Sequence, residues 1–166
     1  ELKLADDQFP RADFEAMGLH AAFYGQKTYN GVAIVARRVP AQVTTGIPGD
    51  ADPQRRVIAA TVGPVRLVNV YVPNGQAVGS EKYTYKLAWL ERLHGYLATQ
   101  LKQHEYLLVA GDFNSGGLGE MFGERGFTWP TDDIGSTHHG WSFDHIFARG
   151  FIPIGHLPIE FDEFLA

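Results

Sequence analysis

Cysteine is absent from the 166 residues, which excludes disulfides, thiolate catalysis and cysteine-ligated zinc, and is compatible with a reducing compartment. No apolar run approaches the roughly 20 residues needed to cross a bilayer, and the N-terminus lacks the basic-then-apolar order of a signal peptide. A membrane role gains no support, and the cytoplasm is the expected location. Positive charge is also short. Lys and Arg number 14 against 19 Asp and Glu, a formal net charge of -5. Attraction to phosphate backbones is not built into that balance, so nucleic-acid binding would need a local patch or a cation. The chain opens at Glu1 without an initiator Met, the mark of a fragment or a processed product.

What the chain does have is a core-forming composition. Hydrophobic residues make up 45% and charged residues 20%, which separates it from disordered proteins. Its length suits one compact domain over residues 1–166. Asp13 to Met17 before Gly18 predicts a short helix, and His20 to Tyr24 a short strand. The β-branched run from Gly31 to Arg38 predicts a buried strand. Val57 to Val62 and Val65 to Val72 flank Gly63-Pro64 and predict an antiparallel hairpin, although Gly-Pro is not the preferred pair for one. Ser80 is placed to cap a long helix with Tyr83, Leu87, Leu90, Leu93, Leu97 and Leu101 as its core stripe. Trp89 beside that stripe reads as packing, and His94 and His104 as surface residues. Glu105 to Ala110 predicts a second buried strand ending at Gly111-Asp112, Ser115 to Phe127 a Gly-rich mobile loop, and Ser142 to Phe147 a last strand. Strands with few helices favour a mixed α/β (α+β) sandwich over a regular βαβ repeat.

A strand that ends in a carboxylate is a place to look for chemistry. Along an extended Gly111-Asp112-Phe113-Asn114, Asp112 and Asn114 share a face and Phe113 takes the other. A carboxylate beside an amide can orient and deprotonate a water or share a hard cation, and Gly111 leaves room for a phosphate. The competing reading is an Asx-rich turn closing the strand. Tyr71 to Gly75 ends another strand with a phenol and the Asn74 amide, a turn when taken alone. Asp144 and His145 fall on opposite faces of their strand, which makes His145 a buried residue bonded to backbone. His138-His139 diverge on an extended chain and make a poor metal pair. Lys3, Lys27, Arg37, Arg38, Arg55, Arg56 and Lys82 are the candidate phosphate contacts, most of them expected on a solvated face.

Tyr71-Val72-Pro73-Asn74-Gly75, Gly111-Asp112-Phe113-Asn114 and Asp144-His145-Ile146-Phe147 occur in that order. The chain resembles the endonuclease/exonuclease/phosphatase superfamily. From Glu1 to Asn114 it is similar to bacterial exonuclease III-type apurinic/apyrimidinic endonucleases, through Glu1-Leu2-Lys3, Tyr24 to Lys27, Gly31 to Ile34, Gly46 to Asp50 and Gln54 to Ile58. The resemblance implies a two-sheet β-sandwich flanked by helices, incomplete at both ends. It implies that Glu1 ligates a catalytic Mg2+ or Mn2+, that Asp112 activates the attacking water and that Asn114 aligns it. Tyr71 would donate to the scissile phosphate, Asn74 would shape the phosphate site with Arg56 and Lys3 as substrate contacts, and Asp144 would orient a catalytic His. The implied substrate is double-stranded DNA with abasic sites or 3′ ends.

The family's first strand, with its metal-site Asn, would lie before Glu1, and its closing Ser-Asp-His is missing, with His145 pointing away and no obvious substitute. The short interval from Asn114 to Asp144 is more like the general phosphodiesterase or phosphatase members. A small-substrate phosphodiesterase or phosphatase and a catalytically inactive remnant are therefore the alternatives. Loss of terminal strands would uncover sheet edges and apolar faces, which leads to an expectation of self-association.

Overall fold

The computed structural model describes residues 1–115, 122–131 and 144–151. After a 3-10 turn (Asp6–Gln8) and helix α1 (Arg11–Ala16) the chain forms β1 (His20–Tyr24), β2 (Val32–Ala36), β3 (Ala41–Thr45), β4 (Val57–Val62) and β5 (Val65–Tyr71). The long helix α2 (Glu81–Gln103), β6 (Leu107–Asp112) and β7 (Asp144–Arg149) follow. Strands β1 and β2 pair as a two-stranded antiparallel sheet, and the rest form a sheet in the order β3-β4-β5-β6-β7. All neighbours in the larger sheet are antiparallel except β5 and β6. Helix α2 supplies the crossover that such a parallel pair requires.

The alternation of β5 shows how the layers sit. Arg66, Val68 and Val70 are buried on one face, where Val68 and Val70 join a core with Val57, Ala59, Trp89, Leu93 and Phe147. Leu67 and Tyr71 on the other face pack with Ala22, Val32, Ile34, Ile58 and Ala60 beneath the small sheet. Central strand β4 is buried on both faces, with no exposure at Ile58, Ala59 and Ala60. Two sheets with flanking helices are thus the architecture, as expected. No described helix is long and apolar enough to cross a membrane.

The hairpin forms as predicted, with Val62 opposite Val65. Gly63 takes φ +59 ahead of the fixed φ of Pro64, the sign order of a type II′ turn, so Gly-Pro suits the site. The strand expected over Gly31 to Arg38 is shorter and less buried, because β2 belongs to the small sheet and leaves Val35 40% exposed. Strand β3 was not foreseen. It is an irregular, mostly exposed edge with a register shift between Ala41 and Thr44, so no burial pattern marks it.

Helix α2 begins where Ser80 accepts a hydrogen bond from the Tyr83 amide at 3.1 Å while donating to the Gly75 carbonyl. Ser80→Ala is expected to lower stability by about 1 kcal/mol, measurable by urea unfolding. The buried stripe of α2 differs from the leucine stripe predicted. It consists of Lys86, Trp89, Leu93, Tyr96, Leu97 and Gln100, whereas Leu87 is 50% exposed and Leu90 and Leu101 only flank the core. Lys86 and Gln100 are tolerated there because each has a hydrogen-bond partner, the Asn114 carbonyl and the Arg66 guanidinium. Hydrophobicity alone does not register such positions.

Candidate active site

Register brings the strand ends together. Tyr71 pairs with Asp112 across β5 and β6, and Asp112 with Asp144 across β6 and β7, so the three side chains share one face at one edge of the sheet. Phe113 turns the other way and is buried beneath α2 at 1% exposure. The alternation ends at Asn114, whose φ of +46 leaves the strand conformation. Its amide donates to the Val72 carbonyl at 2.9 Å, and its backbone N–H donates to Asp112 Oδ1 at 2.7 Å. The Asx turn weighed as the alternative therefore exists, and it aims the carboxylate instead of replacing it. Lys86 holds the turn from below, Nζ donating to the Asn114 carbonyl at 2.6 Å.

Gly111 has a different role from the one expected. A Cβ there would strike the Val70 carbonyl oxygen and approach Asn69 Oδ1 to 2.9 Å, so the missing side chain serves strand pairing, not substrate approach.

Electrostatics link these groups to the N-terminal segment. Burial pushes the Asp112 carboxyl above its ordinary value; the Asn114 N–H opposes this, Asp144 raises it further, the α-amino group lowers it and Glu1 raises it. Two carboxylates directly opposite on neighbouring strands are unfavourable without a counter-charge. The Tyr71 phenol is likewise pushed up, first by burial, then by Glu1 and Asp112, against the lowering effect of Arg56, with a hydrogen bond to Glu1 raising it further. It keeps its proton at neutral pH and is a donor. Glu1 is held by the Asn30 N–H at 2.7 Å and by Lys3 at 3.2 Å. The Asn30 amide donates to Gln54 Oε1 at 3.3 Å, the same atom that accepts from Arg56 Nε at 2.9 Å. Arg56 then lies over the Tyr71 ring at 5.1 Å and donates to the Tyr71 carbonyl at 3.1 Å. One polar chain thus ties Glu1 to Tyr71.

The donor set near Asp112 is carboxylate oxygen, the chemistry of a hard divalent cation. Among the described residues no three His, Asp or Glu side chains form a complete cage. Mg2+ is commonly held by one or two carboxylates, with waters and substrate phosphate oxygens completing the shell.

Other expectations fall differently. Asn74 is exposed and caps its own turn, Oδ1 accepting from the Gln76 N–H at 2.9 Å. The Lys3 side chain, 62% exposed, is paired with Glu1. Arg55 is engaged by Asp6 and the Gly25 carbonyl and lies over Tyr24 at 4.7 Å. Lys27, Arg37, Arg38 and Lys82 are exposed, a solvated face as foreseen. Asp144 is exposed and His145 buried, on opposite faces as predicted. The His145 ring packs near Trp129, Phe147 and Phe113 at 5.2, 5.8 and 6.0 Å. His138, His139, His156 and the Ser142-Phe143 start of the last strand lie outside the described residues, as does part of the loop expected over Ser115 to Phe127. The described end of that loop carries Phe122 and Phe127 into the core.

Three residues that build the site were not foreseen. Asn30 carries no sequence signal beyond polarity, and Gln54 only its place in the segment Gln54 to Ile58 that resembles the family. Lys86 does carry one: it lies one helical turn before Trp89, on the face where an apolar residue is expected.

The chain matches the model of the Endonuclease/Exonuclease/phosphatase family over residues 1–158. It is 32% identical over 120 residues to exodeoxyribonuclease III of Haemophilus influenzae, a stretch covering 69% of this chain and 45% of that protein. It therefore spans less than half the length of that relative. A 3′-5′ exonuclease from Neisseria meningitidis superposes with a TM-score of 0.79 at 35% identity, covering 89% of this chain and 73% of that one. A 3′ phosphatase from Neisseria bound to product DNA hairpin gives 0.78 at 34% identity, with the same coverage. An AP endonuclease from Archaeoglobus fulgidus gives 0.77 at 28%, again covering 89% and 73%. The three strand-end motifs lie in one row and the family match covers nearly all of the sequence; the chain belongs to the endonuclease/exonuclease/phosphatase family.

Proposed function

We propose that the chain carries the hydrolytic site of a divalent-cation-dependent phosphodiesterase acting on DNA at abasic sites or 3′ ends. The observation that carries this reading is the row Tyr71, Asp112 and Asp144 on β5, β6 and β7, with Glu1 close enough to raise the pKa values of Tyr71 and Asp112. The relatives named exonuclease, 3′ phosphatase and AP endonuclease support the choice of DNA.

In this reading Asp112 takes the proton of the attacking water. Its raised carboxyl is a better base than an ordinary aspartate, and the Asn114 N–H fixes which oxygen is free. Tyr71, holding its proton, donates to a phosphoryl oxygen, and Arg56 stiffens the phenol from behind. Asn114, with one amide N–H turned to Val72, has a second with which to align the water. Glu1 would hold Mg2+ or Mn2+, which when bound would neutralise charge developing on the phosphate. Lys3 and Asn74, both exposed, would contact substrate phosphates, and Asp144 adds negative charge beside Asp112.

The test is incision of a duplex oligonucleotide with one abasic-site analogue, beside a 3′-phosphorylated duplex and a small phosphodiester, with Mg2+ and with EDTA. Cleavage of either DNA that stops in EDTA is expected. Turnover of the small ester alone would move the function to a small-substrate phosphodiesterase, and no turnover by folded protein would mark an inactive remnant.

A further inference from the structure

Strand β5 carries Tyr71 at one end and Arg66 at the other, on opposite faces of the sheet. Five residue steps along the strand separate them, roughly 17 Å. Arg66 is only 4% exposed. Its guanidinium donates to Gln100 Oε1 at 2.8 Å, the Gln42 carbonyl at 2.8 Å, and the Thr61 and Thr44 hydroxyls at 3.3 Å each. Every one of these partners is neutral. Among the described residues no carboxylate is within ion-pair distance of Arg66, and Asp50 in the same cavity is taken by Arg92 at 2.7 Å.

A buried cation without a counter-ion is unfavourable unless something supplies the charge. Beside it lies a cavity of about 860 Å³, lined by Arg66, Tyr96, Gln100, Thr44 and His104 among others. The Tyr96 hydroxyl is buried there, in a residue 7% exposed, and has no acceptor for its proton among the described residues. Burial pushes the His104 ring below its ordinary value and the nearby Arg66 charge lowers it further. Of five guanidinium N–H groups, four are engaged by these neutral partners, and the Tyr96 hydroxyl is a further neutral group within reach of Arg66; burial raises the phenol, and the Arg66 charge lowers it against that effect.

From these features we infer that the cavity is a binding site for a small oxyanion of the phosphate or carboxylate class, received by Arg66 and the Tyr96 hydroxyl. The site is separate from the row at Asp112 and does not rest on the proposed hydrolysis. Its ligand would supply the missing negative charge and tie β3, β5 and α2 together, so binding would stabilise the fold.

The test is a calorimetric titration of the 166-residue protein with inorganic phosphate and, separately, with acetate. Saturable binding of one anion per chain is expected, phosphate alone or both telling which class the pocket accepts. Tyr96→Phe should weaken it by about tenfold, the loss of one strong hydrogen bond. Gln100→Glu places a carboxylate on Arg66 from within; it should abolish binding and raise the thermal midpoint. Tyr71→Phe, at the other site, should leave binding unchanged. The inference is overturned if folded protein binds neither anion saturably, if Tyr96→Phe and Gln100→Glu bind like the parent, or if binding is lost in Tyr71→Phe instead.

Discussion

Asp112→Asn is expected to reduce Mg2+-dependent cleavage by roughly 10²–10⁴-fold while making the fold more heat-resistant at neutral pH. The loss follows because an amide cannot take the proton of the attacking water. The gain follows from the sign of the shift. The carboxyl of Asp112 is raised by burial, Asp144 and Glu1, so the folded state binds its proton more tightly than the unfolded state does. Its contribution to stability is complete below the ordinary aspartate value and is lost as pH rises through the raised one. At neutral pH the ionised group is a burden that asparagine lifts. The substituted amide still offers Oδ1 to the Asn114 N–H, now at 2.7 Å, so the turn survives. Thermal midpoints of both proteins at about pH 4 and about pH 7.5 test this, with the advantage of the variant largest at the higher value. Cleavage should also need a higher pH than an ordinary aspartate base would. Full activity in the variant would remove Asp112 from the chemistry, and a variant less stable at neutral pH would contradict the origin assigned to the shift.

Gly111→Ala is expected to destabilise by more than about 4 kcal/mol, a magnitude reserved for severe steric or backbone conflicts. Gly111 adopts φ +140, which L side chains rarely take, and the new Cβ would enter the Val70 carbonyl and lie 2.9 Å from its carbon. Strand β5 cannot retreat, because Val70 pairs with Val57 on its other side and its side chain is 1% exposed. The parallel pairing that sets Tyr71 beside Asp112 would open, so activity should fall with stability. Gly95→Ala in α2 is the matching control. Nothing lies within 4 Å of its Cβ position, and removing a mid-helix glycine should add up to about 1 kcal/mol. Chemical unfolding of the two variants should bracket the parent; a Gly111→Ala protein within about 1 kcal/mol of it would show that the strands part easily there.

Most elements were readable because each has a local cause. The cap at Ser80, the turn at Gly63-Pro64 and the β-branched runs of β4 and β5 work within a few residues and survive in the structure. Errors arose where a neighbour decides burial. The leucines of α2 are periodic, yet the helix lies with Lys86, Trp89 and Gln100 against the sheet, because the Asn114 carbonyl and Arg66 are there to receive the polar ones. Strand β3 stayed hidden because an irregular edge needs no apolar face. At the site, Asp112 and Tyr71 were visible as polar residues ending apolar strands. Asn30 and Gln54 were not, since their part depends on contacts that span 29 and 24 residues of sequence, Glu1 with Asn30 and Asn30 with Gln54.

By itself, then, the sequence determined the two-sheet class, the long helix and the family, each of which depends on residue order along a few turns or strands. Tertiary structure alone decided that Tyr71, Asp112 and Asp144 stand in one row, that Gly111 is needed for pairing and that Arg66 is buried without a counter-charge among the described residues. The reason is that strand register, side-chain burial and charge compensation are properties of contacts between distant segments, and no local pattern encodes which residue will lie opposite another.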